Sequence, residues 1–166
     1  MKEIGIHHLA YAVLSPIIDL YVTHASGQRI EPQYEKVIPS KDGETGGQQE
    51  FVLVDVIGIN EEEYVFVVEA KRTSMSLALK QCLLSMREAQ LHNGGGKVFG
   101  FITTGGHWRM IEYDGKKFRQ SEEINIMFAN MRREKSRWIK SSGKLVDMVF
   151  MALSTGGNRR HIRQTK

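Results

Sequence analysis

Glu69, Ala70 and Lys71 follow an apolar run, Tyr64–Val68, whose β-branched and aromatic residues fit a buried strand. A carboxylate and an amine with one residue between them would be solvated more cheaply almost anywhere else in the chain. Metal-dependent phosphodiester chemistry gives a reason to place them at the end of such a strand. A hard divalent cation such as Mg²⁺, or Mn²⁺ in its place, takes oxygen ligands and keeps several waters. Bound to a phosphodiester, it polarises the phosphoryl oxygen and lowers the pKa of a coordinated water. Lys71 is placed to orient that water or to offset charge building on the phosphate. No covalent enzyme intermediate is required.

The second carboxylate comes from the preceding run, Phe51–Ile57, which Glu50 opens and Asp55 interrupts. The two runs read as a hairpin whose tip, Gly58 to Glu63, holds three consecutive glutamates at a solvated turn. With Ile57 opposite Tyr64, Val52 faces Glu69 and Glu50 faces Lys71. Glu50, Glu69 and Lys71 then share one face, while Asp55 points through the other. At ~3.3 Å per residue, Glu50 lies about 7 Å along the strand from the level of Glu69, and Asp55 about 10 Å the other way. Glu50, Glu69 and the Ala70 carbonyl form the favoured ligand set. A one-residue slip would bring Asp55 to the active face instead.

The elements that must hold this hairpin follow from hydrophobic periodicity. Ile6, Leu9, Ala10, Val13, Leu14, Ile17, Ile18 and Val22 predict a helix over about 4–23, with Pro16 kinking or restarting it. Residues 29–38, with prolines near both ends, suit an edge strand. The polar stretch 40–49 is a loop. Thr73 or Ser74 caps a helix over about 75–91, which His92, Asn93 and three glycines stop. Strands follow at 98–103, 108–113 and around Phe118. Beyond Glu122 the pattern mixes strand and helix signals until a final helix over about 143–153. The fold class is α/β, a mixed central sheet flanked by helices with an α-β-β-β-α-β core.

Size and charge set the outer limits. A chain of 166 residues is most simply one domain, taken as residues 1–157 with a basic tail over 158–166. Apolar content of 41% and charged content of 25% are ordinary for a globular protein. A single cysteine, Cys82, suits a reducing compartment. No window is expected to reach the roughly 20 apolar residues of a bilayer span, and no basic-then-apolar leader opens the chain. The expectation is therefore an intracellular protein, nuclear or cytoplasmic, without a membrane partner. Net charge of +4 is compatible with a polyanionic partner. The histidines show no zinc-ligand spacing, and the glycine pairs lack the context of an NTP-binding loop.

The helix–strand–hairpin–helix–strand order, with E…ExK on the hairpin and QCLLSM on the next helix, resembles the PD-(D/E)XK nuclease superfamily, whose fold is restriction-endonuclease-like. Glu69-Ala70-Lys71 matches the ExK element. Gln49-Glu50-Phe51-Val52-Leu53-Val54-Asp55 stands where members carry a string such as PDFVLVD, so the proline is missing and Glu replaces Asp. Gln81 sits where many members have a helix glutamine near the site. Phe101-Ile102-Thr103-Thr104-Gly105 with His107-Trp108-Arg109 is similar to the GxxTxGxxW hairpin of restriction-type and fungal members, and fungal forms joined to Crinkler-type effectors look most alike. Members also often carry an acid on the first helix, where Glu3 is the only glutamate.

The resemblance implies a Mg²⁺-dependent, endonucleolytic nuclease acting on double- or single-stranded DNA. Its site would comprise Glu50, Glu69, Lys71 and Gln81. Because one domain carries one site, cutting both strands of a duplex would call for a homodimer. Arg72, Lys80, Arg109 and, in the tail, Arg159 and Arg160 are the candidate phosphate contacts, each weighed against a plain solvated cation. Trp108 is assigned to the core. The competing expectation is a catalytically silent module of the same fold, binding nucleic acid or protein within a larger effector or transposon-derived protein.

Overall fold

The computed structural model describes residues 3–24, 29–37, 48–58 and 61–157. Three helices, α1 (Glu3–His24), α2 (Met75–His92) and α3 (Lys135–Thr155), flank a seven-stranded mixed sheet. Its strands are β1 (Ile30–Val37), β2 (Gln48–Gly58), β3 (Glu61–Ala70), β4 (Val98–Thr103), β5 (His107–Tyr113), β6 (Phe118–Gln120) and β7 (Ile124–Asn125). The first six follow one another across the sheet in chain order, and β7 pairs with the start of β5. Every pairing is antiparallel except β3 with β4, which the α2 crossover makes parallel. The α-β-β-β-α-β order is thus present through β4.

Two apolar clusters sit on opposite faces of the sheet. One joins Ile6, Ala10, Leu14 and Ile18 of α1 and Leu145, Val149, Ala152 and Leu153 of α3 to Phe66, Val68 and Phe101. The other packs Ala78, Cys82, Met86 and Ala89 of α2 on Val52, Val54, Val67 and Ile102. β3 is apolar on both faces because both are covered. α2 comes close to β4 at Gly100, where any Cβ would collide with Cys82 Sγ and Met86 Sδ. Ser74 caps α2 by accepting a hydrogen bond from the Leu77 N–H at 3.1 Å.

Four expectations need correction. Gly5–His24 of α1, which Pro16 does not end, is long and apolar enough by length and composition to cross a membrane, with only 22% of that window buried. The glutamates expected at a solvated tip belong to β3, and Glu63 is buried. The hairpin register differs: Phe51 pairs with Val68 and Val52 with Val67, two residues away from the expected alignment. Finally, α3 begins at Lys135, well before Gly143.

The register differs because the strands are not regular. Leu53 pairs with Phe66 but Val54 with Tyr64, so Val65 is an extra residue in β3. Val65 and Phe66 consequently pack into the same cluster, while Tyr64 and Val67 pack into the other. A second irregularity lies between Val56 and Gly58. Neither leaves a mark in a period-two pattern.

Candidate functional site

Glu69 lies on the α2 face, in alternation with Val67, and is 2% exposed. Lys71 follows two residues later, half-buried, and its N–H donates to the Thr103 carbonyl at 3.0 Å. That bond continues the parallel ladder one step past Ala70. Continuing the β2–β3 register by one residue beyond Phe51–Val68 brings position 50 directly opposite position 69. Cross-strand Cβ atoms in such a pair stand about 5 Å apart. The Glu50 side chain itself lies outside the described residues.

Glu69, Ala70 and Lys71 therefore stand in succession at the end of β3, and the register sets backbone position 50 across from position 69. The register error of two residues preserved the face, because side chains alternate with a period of two. Asp55 goes elsewhere. It pairs with Glu63 and Ile30, between Val54 and Val56, which both pack toward α2. Asp55 is thus on the opposite face, and the slip that would have brought it to Glu69 is not the register adopted.

α2 covers this face. Ala78, Gln81 and Ser85 lie on one side of the helix, and Gln81 is half-buried there beside Cys82. Burial pushes the Cys82 thiol well above its usual range, and the neighbouring Glu69 carboxylate pushes it further. The Cys82 thiol of α2 thus feels the Glu69 charge, a neighbourhood the sequence did not reveal. Its only signal was Cys82 at core spacing with Ala78, Met86 and Ala89.

The remaining candidates scatter. Arg109 shares the face and the cross-sheet row, since Glu69 pairs with Ile102 and Ile102 with Arg109. Two strand spacings make that about 10 Å. Its guanidinium donates to Gln120 Oε1 at 3.1 Å and lies 3.6 Å from Glu123. Arg72 and Lys80 are exposed. Lys80 lines a shallow cavity of about 320 Å³ with Ser76, Leu79, Leu83 and Leu84 on the outer side of α2. A second cavity, about 210 Å³, lies between α1 and β1, away from Glu69. Arg159 and Arg160 lie outside the described residues. Trp108 is fully buried and donates to the Gly105 carbonyl at 3.1 Å.

Among the described residues, no group of three or more His, Cys, Asp or Glu side chains gathers at one point. Comparison with protein-family models, curated proteins and solved structures found no match to this chain.

Proposed function

We propose that the chain is a metal-dependent nuclease of the PD-(D/E)XK type, hydrolysing phosphodiester bonds in DNA by endonucleolytic cleavage. The observation that carries this reading is Glu69, a carboxylate 2% exposed at the end of a central strand, followed two residues later by the half-buried Lys71. An acid in that position is costly unless hydrogen bonds, an ion pair or a bound cation offset it, and a divalent cation would do so while serving the chemistry. The α-β-β-β-α-β order, with β3 and β4 parallel and E-A-K at the end of β3, supports the restriction-endonuclease-like assignment.

The donor set suits Mg²⁺, which needs as few as one or two carboxylates and keeps water for the rest of its shell. Glu69, Glu50 and the Ala70 carbonyl would hold the ion, whose chemistry is to polarise the phosphoryl oxygen and acidify a bound water. Lys71 places a positive charge where negative charge builds on the phosphate. Gln81, reaching from α2, orients the attacking water. A homodimer would supply the second site needed for both strands of a duplex.

One observation favours a second reading. α2 leaves Glu69 almost no solvent contact, which suits a silent module of the same fold that binds nucleic acid or protein. Incubation with plasmid and single-stranded DNA, in Mg²⁺, Mn²⁺ or EDTA, separates the two. The nuclease reading expects metal-dependent nicking that falls at least about 100-fold in Lys71→Ala. Binding without cutting by the parent protein would leave the silent module standing.

A further inference from the structure

α3 reaches well past the core it belongs to. Leu145, Val149, Ala152 and Leu153 are buried, and Trp138 lies on the same side of the helix seven residues before Leu145, yet Trp138 is 40% exposed. The first ten residues of α3, none of them buried, therefore extend past the apolar core over about 15 Å at 1.5 Å per residue, with Arg137 and Lys144 against Phe128 and Glu122. The direction is fixed by the other end. Gly156 abuts Val65, and Gly157 bridges to Lys97, where β3 and β4 begin. The overhang accordingly projects beyond Ala70 and Thr103, where those strands end and Lys71 emerges.

The charge of the chain is concentrated there. Residues 132–144 hold six Lys and Arg against Glu134, a net +5. Outside this stretch and the last eight residues, 13 Lys and Arg face 18 Asp and Glu, a net −5. Like charges crowded on one helix oppose its formation. Some are tied down: Arg137 pairs with Glu134 and lies 4.8 Å over the Phe128 ring, and Lys144 meets Glu122 at 2.8 Å. Among the described residues, Arg132, Arg133, Lys135 and Lys140 make no ion pair and are exposed.

At 100° per residue, Arg137, Lys140 and Lys144 fall along the side of the helix away from Leu145 and Val149, whereas Trp138 faces back under the overhang. Within that row Arg137 and Lys144 are already held by Glu134, Phe128 and Glu122, which leaves Lys140, with Arg132, Arg133 and Lys135 before it, as the exposed cations without an ion pair among the described residues. A run of unpaired cations within a chain that is otherwise net negative matches a polyphosphate by charge complementarity. We propose that the α3 overhang and the segment leading into it grip the phosphate backbone of a nucleic-acid duplex running toward Lys71. This placement rests on the nuclease reading for its direction, and on the exposed, unpaired Arg132, Arg133, Lys135 and Lys140 for the grip itself.

The test measures binding of a 20-base-pair duplex in EDTA, where no metal-dependent cutting occurs, across a range of salt. Arg132→Ala with Arg133→Ala should weaken binding and reduce the salt slope of log K by about 2, as expected for two lost phosphate contacts. Lys116→Ala with Lys117→Ala, the same charge loss on an exposed turn, should leave the slope in place. Equal effects from both pairs, no change from the first, or binding to anionic vesicles but not to duplex would each overturn the grip. Metal-dependent cutting by a parent whose binding ignores the first pair would keep the nuclease reading and discard the grip. Slope-dependent binding without any cutting would do the reverse.

Discussion

Asn93, the residue that ends α2, exchanges two hydrogen bonds with the backbone of Tyr64. Its Oδ1 accepts from the Tyr64 N–H and its Nδ2 donates to the Tyr64 carbonyl, both at 2.8 Å. β4 pairs with β3 only from Phe66 onward, so on that side Tyr64 has no strand to bond. The amide of Asn93 imitates the missing peptide and fixes the end of α2 to β3 just before the Val65 bulge.

Replacing Asn93 with Ala leaves a buried N–H and a buried carbonyl without these partners. The expected cost is about 2–4 kcal/mol, read from urea unfolding at constant slope. Asn93→Asp keeps the acceptor but sets a buried carboxylate oxygen against the Tyr64 carbonyl, so its loss should equal or exceed that of Ala. Equal stability of Asn93→Ala and parent would mean that water replaces the amide and that the staple contributes nothing.

Gly100 sets the distance between α2 and β4. Gly100→Ala drives a methyl into Cys82 Sγ and Met86 Sδ, an overpacking expected to cost about 1–3 kcal/mol. Cys82→Ala removes the nearer sulfur and should recover part of that loss in the double variant, a coupling that a thermal double-mutant cycle detects. Strict additivity would show that the helix shifts as a whole.

What could be read from the sequence was local. Glu69, Ala70 and Lys71 lie next to an uninterrupted apolar run, and Ser74 precedes a clean helical stripe, so both positions were legible without tertiary information. The hairpin register was not, because Val65 is an extra residue whose packing is decided by Phe66 and Tyr64 on opposite faces. Asn93 read as a helix stop, since nothing local shows that its amide reaches Tyr64. The start of α3 was hidden for a related reason. Trp138 has no core partner to give it a period, and Ser141, Ser142 and Gly143 break the helical signal in a segment that carries charge instead of apolar contacts.

Cys82 gives the site a pH signature. Burial raises its thiol above the ordinary range, and Glu69 adds to that. The folded pKa exceeds the unfolded one, so the thiol's contribution is fully present below the ordinary thiol range and is lost as pH rises through it toward the raised value. Stability should fall there by up to about 1.4 kcal/mol per pH unit from this group. Cys82→Ala should flatten that limb of the stability profile. A small thiol reagent should leave native Cys82 unmodified at neutral pH, and rapid labelling of the folded protein would contradict the packing described.

Glu69 is where structural and metal-binding roles part most cleanly. If the carboxylate is held for a cation, it is a buried charge kept at the expense of stability, and Glu69→Gln removes that charge at nearly constant volume. The variant should then melt at or above the parent temperature in EDTA. Mg²⁺ should raise the parent's melting temperature, by the equivalent of about 2.7 kcal/mol at a hundred times its dissociation constant, and leave Glu69→Gln unmoved. A purely structural ion pair behaves in the opposite way. Losing one partner of a buried pair costs about 3–5 kcal/mol, metal is irrelevant, and the variant would melt well below the parent in both buffers. Melting curves of two proteins in two buffers therefore decide whether the acid at the end of β3 is held for a metal or for the fold.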